Sequence, residues 1–262
     1  MTDNSPDQPP TKRVKYVARR PTIPALRERF ADQCRYDFSQ SFDVLVGPEK
    51  KRFSVYYNIL TKRSRFLQAA RSSRWTKDSQ RPTDLTDFDP EVFSNYLRLV
   101  YTGEIFQPEQ LGEDGWAEAI ETAFNSDLSE LIKLYELADK LEDLTSVNLI
   151  MNEFLASYQE AWRMFIPSVT TQIYQHTPSN SPLRTVVRDV ILFHTNPTFY
   201  EDDGGCKQYP VELLLDVLRE DAKIKDRNRS NQKTIAELYD VKISDFDKCH
   251  YHQHHDGHPK CK

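Results

Sequence analysis

The stretch FDVLVGPEKKRFSVYYNILTKRSRFLQAA, Phe42 to Ala70, changes period twice in under thirty residues. Phe42, Val44 and Val46 sit two apart, as on a strand with one buried face, and Gly47-Pro48 then break the run. Arg52-Phe53-Ser54-Val55 supplies the return strand, so the charged knot Glu49-Lys50-Lys51-Arg52 falls on a hairpin turn. Charged residues suit such a turn through solvation alone, and no acidic ligand is needed to explain them. Ile59, Leu60, Phe66, Leu67 and Ala70 then recur at helical spacing over two short segments, with Ser64 placed to cap the second.

The pattern continues outward from this core. Thr83–Leu85 is a short strand candidate, and Asp89-Pro90-Glu91 is a strong helix start: an Asp cap, proline in the first turn and an acid beside it. Val92, Phe93, Tyr96, Leu97, Val100 and Tyr101 line one face of that helix, and Thr102-Gly103 ends it. Residues 107–124 read as a long loop with at most one helical turn. Asp127 and Glu130 have the spacing of a capped start for the next helix, and Val147, Met151, Phe154, Leu155 and Tyr158 mark another. Beyond Trp162, Ser181-Pro182 and Pro210 open two further helices, whereas charge rises and apolar spacing thins from Lys223 to Asp247. A strand pair followed by helix after helix predicts an α+β fold in which helices dominate.

The totals exclude several classes of function. The 262 residues are 38% apolar and 29% charged, with 35 Lys and Arg against 40 Asp and Glu. A net charge of -5 with mixed signs exerts no general pull on nucleic acid or anionic membrane. No run of about 18 apolar residues exists to span a bilayer. The first thirty residues lack an apolar segment of the secretory kind, and Cys34, Cys206, Cys249 and Cys261 are too scattered for a disulfide framework. The expectation is therefore an intracellular protein, in the nucleus or the cytoplasm. With seven glycines there is no phosphate-binding loop, and neither a nucleophile elbow nor a zinc-protease helix motif occurs. Cys34 has no histidine close in sequence to activate it. We expect no enzyme activity.

Two terminal segments carry their own signals. Residues 1–39 are expected to be a disordered arm whose cations Lys12, Arg13, Lys15, Arg19 and Arg20 resemble a short nuclear import signal. At the other end, Cys249 to Cys261 gathers five of the seven histidines and two of the four cysteines. Thiolate and imidazole are the preferred zinc ligands, so Cys249, His252 or His254, His258 and Cys261 are candidates for one tetrahedral site. Their spacing matches no zinc finger, and a disordered His-rich end is the competing reading.

In order and content, three segments resemble the BTB/POZ domain. Asp43-Val44, Phe53-Ser54-Val55, Ile59-Leu60 and Ser64-Arg65-Phe66-Leu67 are similar to that family's opening hairpin and first helical pair. Asp89-Pro90-Glu91-Val92-Phe93 through Leu99-Val100-Tyr101-Thr102-Gly103-Glu104 is similar to its most recognisable later segment. Leu134-Tyr135-Glu136-Leu137-Ala138-Asp139-Lys140-Leu141 matches the helix after it. The resemblance covers roughly residues 40–160. It implies a short β-sheet with helical hairpins, followed here by an α-helical extension over 161–222 and a charged, Cys/His-rich tail over 223–262. With its Ile173–Arg184 segment and Cys/His-rich end, the chain also resembles fungal BTB proteins that carry a helical extension.

The resemblance implies protein–protein interaction: homodimerisation and recruitment of a further protein partner. It assigns the interface to Phe42, Val44, Ile59, Leu60, Phe66, Leu67 and Trp75. The alternative it offers is a substrate adaptor bound to a cullin scaffold in a ubiquitin ligase. Two departures matter. Val55-Tyr56-Tyr57 replaces the family's usual Val-His-Lys, and Trp75-Thr76-Lys77 puts a cation where cullin-binding relatives place an acid. A reversed charge at a docking position disfavours the adaptor reading.

Overall fold

The computed structural model describes residues 38–72, 81–105, 117–161, 167–194, 206–228 and 249–254. All of these fall in one of the chain's two compact units, Phe38–Lys262. Strand β1 (Ser41–Val46) pairs antiparallel with β2 (Lys51–Tyr56), Val44 lying opposite Phe53 and Phe42 opposite Val55. The alternation read in the sequence is the pleat itself. Phe42, Val44 and Val46 are buried, whereas Asp43 and Leu45 lie on the partly exposed face. Strand β3 (Thr83–Leu85) runs parallel to β1, giving the order β2-β1-β3, so β2 and β3 are the outer strands among the described residues.

The hairpin turns at Gly47–Lys50, so of the charged knot Glu49 and Lys50 lie on the turn, whereas Lys51 and Arg52 already pair within β2 opposite Val46 and Leu45. Lys50 N–H donates to the Gly47 carbonyl at 2.8 Å. Gly47 adopts φ 76°, and a Cβ there would meet the Pro90 ring carbons at 2.8 and 2.9 Å. Only glycine meets both demands without strain. The cations of the knot stay on the outside. Arg52 approaches Asp43 at 3.5 Å, and the Lys51 ammonium sits 5.2 Å from the centroid of Phe53. Exposed pairs of this kind contribute little to stability.

Strand β2 runs directly into α1 (Tyr57–Arg63), and Ser64 separates it from α2 (Arg65–Ala70). The Ser64 hydroxyl accepts from Leu67 N–H at 3.0 Å and donates to the Leu141 carbonyl at 2.5 Å. It therefore caps α2 and ties it to a later part of the chain. Helix α3 (Pro90–Thr102) opens on the Asp89 cap, whose carboxylate accepts from Glu91 N–H at 2.7 Å, and closes on left-handed Gly103. Its buried face carries Val92, Phe93, Tyr96, Leu99 and Val100.

The next helix begins earlier than expected. Helix α4 (Ala117–Lys140) takes in residues 117–124, which the sequence pattern assigns to a loop, and places Asp127 inside the helix instead of at its start. Cap-like spacing arises by chance within acidic helices, and the bonding of the backbone ladder outweighs it. A three-residue turn leads to α5 (Leu144–Ala161), with Glu142 at φ 52°. Helices α6 (Pro167–His176), α7 (Pro182–His194) and, after a turn of 3-10 helix at Cys206–Gln208, α8 (Val211–Asn228) complete the series. Helix α8 continues through Lys223–Asn228, where the rising charge suggested that order ends. Ion pairs three or four apart, such as Lys223 to Glu220 at 3.1 Å and Lys225 to Asp221 at 2.7 Å, accommodate that charge along the helix.

The extension shares a core with what precedes it. Ser129 on α4 bonds Gln172 on α6 at 3.0 Å, and Glu136 on α4 lies 3.2 Å from His176. Arg184 of α7 closes the C-terminal end of α6 by donating to the carbonyls of Tyr174, at 2.6 Å, and Thr177. Tyr174 in turn donates to Asp216 on α8 at 3.1 Å. Leu213 and Val217 are the buried residues of α8.

Candidate interaction surface

Several of the residues assigned to an interface lie beneath their own chain. Phe42, Val44, Ile59, Leu60 and Leu67 are buried in the core that joins the sheet to α1 and α2. Phe66 is half-buried on α2. Trp75 and the Trp75-Thr76-Lys77 segment lie outside the described residues, as do the cations from Lys12 to Arg20. The buried five make the platform. What a second protein would touch is the layer outside it.

That layer is aromatic and sits at the open side of β2. Phe38 is 54% exposed and Tyr56 is 41% exposed, and their rings meet edge to face with centroids 5.0 Å apart. The Tyr56 ring continues to Tyr101 at the end of α3, 6.4 Å away, and Tyr56 N–H donates to the Tyr101 hydroxyl at 3.4 Å. Beside them, Phe42 packs edge to face with Tyr57 at 6.1 Å, while the Arg71 guanidinium lies 4.8 Å from the centroid of the Phe42 ring. Burial raises the Tyr101 phenol above its ordinary pKa, partly offset by the bond from the Tyr56 backbone, so Tyr101 is uncharged at neutral pH.

The local sequence explains the placement. Tyr56 ends β2 and Tyr57 begins α1, so the chain turns there and the two phenol side chains part. The Tyr56-Tyr57 pair is thus divided between an outward ring and one set against Phe42. Phe38 and Tyr101 escaped the sequence reading as surface residues. Phe38 precedes any periodic segment, and Tyr101 had been counted with the inner face of its helix. Proximity across 45 residues, which no local pattern reveals, joins Tyr56 to Tyr101.

Among the described residues, no group of three or more His, Cys, Asp or Glu is arranged to hold a metal ion. Of the zinc candidates, Cys249, His252 and His254 are described, and His258 and Cys261 are not. The ring centroids of His252 and His254 are 6.4 Å apart, and His252 Nε2 is engaged by the Asn152 side chain at 2.9 Å. No helix among the described residues is long and apolar enough to cross a membrane.

The pattern of known families agrees with this geometry. Residues 35–144 match the BTB/POZ domain, a stretch that runs from just before Phe38 through the hairpin and α1–α4 to the first residue of α5. No curated protein matches the chain. A BTB/POZ domain is a protein–protein interaction module, and its small mixed sheet with helical hairpins is the arrangement seen here, followed by further helices. Residues 35–144 of this chain are a BTB/POZ domain.

Proposed function

We propose that this protein acts by self-association: its BTB/POZ domain joins a second copy through the Phe38-Tyr56-Tyr101 patch, and the dimer recruits a further protein. The observation that carries the reading is the exposed aromatic ladder at the outer edge of β2. Aromatic rings that remain half in water gain most from being covered, and an outer strand offers backbone groups beside them. Tyrosine and phenylalanine are enriched where proteins meet. Because the patch lies on one copy, a two-fold pair would bury it on both.

Recruitment falls to the extension in this reading. Helix α8 turns Leu213 and Val217 inward and keeps Val211, Leu215 and Leu218 outward, an apolar stripe at helical spacing. Such a face suits a protein partner better than a small molecule.

The test is capture of an untagged full chain by a tagged one. Wild-type copies are expected to retain each other, and Tyr56→Glu in both is expected to abolish retention. Retention unchanged by Tyr56→Glu would place self-association elsewhere, and no retention of wild type would remove it.

A further inference from the structure

A six-residue piece of the tail, residues 249–254, lies in a groove formed by α4, α5 and α7. Tyr251 is 3% exposed, and its hydroxyl donates to Asp189 Oδ2 at 3.1 Å. Asp189, on α7, is itself 1% exposed and is held by the Arg188 guanidinium at 2.6 Å. His250 Nε2 approaches the same carboxylate oxygen at 3.2 Å, its ring edge-on to Tyr251. Two residues on, the Asn148 side chain of α5 grips the backbone of Gln253 from both sides. Its Nδ2 donates to the Gln253 carbonyl at 2.9 Å, and its Oδ1 accepts from Gln253 N–H at 2.9 Å. The Gln253 amide then donates to Tyr135 at 3.3 Å and to Asp139 at 3.4 Å, both on α4.

This is how a protein reads an extended peptide. A side-chain amide that bonds both the N–H and the C=O of one residue fixes backbone direction and register whatever that residue is. A buried carboxylate held by arginine selects the phenol hydroxyl, and a second polar pair selects the amide two residues later. The segment brings one buried ring, Tyr251. Polar contacts to side chain and backbone around one buried anchor are the pattern by which a protein holds a peptide ligand.

We propose that the α4–α5–α7 groove is a peptide-binding site for extended segments of the form Tyr-x-Gln, and that Tyr251-His252-Gln253 occupies it as an intramolecular ligand that a partner's Tyr-x-Gln segment displaces. The tail competes through its high effective concentration, not through high intrinsic affinity. Displacement exposes Asp189 and Asn148 to the incoming segment.

The test uses the full chain and a fluorescent peptide of residues 247–256 with Cys249→Ser, followed by anisotropy. Tyr251→Ala in the chain weakens its own tail and leaves the groove intact, so it is expected to bind the peptide about tenfold more tightly than wild type does. Adding Asn148→Ala to that chain is expected to lose at least about tenfold, and a peptide carrying Tyr251→Ala is expected not to bind. Equal binding to wild type and Tyr251→Ala, or no saturable binding to Tyr251→Ala, overturns the proposal. A Tyr251→Ala chain that loses its helical circular dichroism also overturns it, since the segment would then be an integral part of the core.

Discussion

Arg63, at the end of α1, reaches across 3.2 Å to Asp143, the residue that opens α5 eighty positions later. Asp143 is fully buried, and its carboxylate is met by Arg63, Ser146 and Tyr96. Arg63 also donates to the Ser146 hydroxyl at 2.9 Å, Ser146 donates its hydroxyl to Asp143 at 2.8 Å and its N–H at 3.1 Å, and Tyr96 of α3 donates its phenol at 3.1 Å. Burial first, then the neighbouring Asp143 carboxylate, pushes the Tyr96 phenol well above its ordinary pKa and keeps it a donor. One carboxylate thus fastens α1, α3 and α5 together.

Removing that carboxylate leaves a partly buried guanidinium and a buried phenol without their acceptor. Asp143→Ala is expected to cost about 3 kcal/mol in urea unfolding, because an isolated buried charge is far worse than a pair. Asp143→Asn, which keeps the cap to Ser146, is expected to cost less. Adding Arg63→Met to Asp143→Ala should recover part of the loss. A double variant that sums the two single losses would show that the residues are not coupled.

Two glycines differ in what they must satisfy. Gly103 needs only the left-handed cap conformation, so Gly103→Ala is expected to cost about 1 kcal/mol. Gly47 needs a positive φ and also lies against the Pro90 ring, so Gly47→Ala adds about 1–3 kcal/mol of overpacking to a similar strain. Thermal melts of both variants should rank Gly47→Ala as the more damaging. The reverse order would contradict the close approach of the hairpin to α3.

Docking of the tail should respond to pH through His252. Burial, and then repulsion from His254, lowers its pKa below the usual 6.5, so the docked state favours the neutral ring. A depressed pKa means that the contribution is complete above pH 6.5 and is lost as the pH falls through the lowered folded value. Asn152 faces His252 directly, while His250, two residues earlier, faces Asp189. Amide exchange of residues 249–254, corrected for intrinsic rates, should therefore speed up on going from about pH 7.5 to about pH 6. His252→Asn should remove that dependence, and an identical dependence in His252→Asn would assign it to another group.

Much of the core could be read from local pattern, and the surfaces could not. The alternation of Phe42, Val44 and Val46, the Ser64 cap and the Asp89-Pro90 start each state their structure within a few residues, because a strand or a capped helix is a local object. The BTB/POZ resemblance rested on those same pieces. What escaped depends on distance in sequence. Asp139 and Asp143 read as two more acids in a charged chain until Gln253 and Arg63 arrive beside them. Composition shows the residue types of Cys249 to His254 without their neighbours; Asp189, Asn148 and Asn152, which meet His250 to Gln253, come from helices that local pattern marks only as amphipathic faces. Tyr56 and Tyr57 stood out as a departure, but only the turn from β2 into α1 shows which of the two faces outward.

The central claim concerns the edge of β2, and sedimentation equilibrium of the full chain tests it most directly. The wild-type protein should run at twice its 30.7 kDa chain mass. Phe38→Glu with Tyr56→Glu, two changes at exposed positions that leave the core untouched, should return it to the mass of a single chain. A wild-type protein that stays at 30.7 kDa as its concentration is raised, or a dimer that the paired substitution leaves intact, would contradict self-association through the aromatic patch.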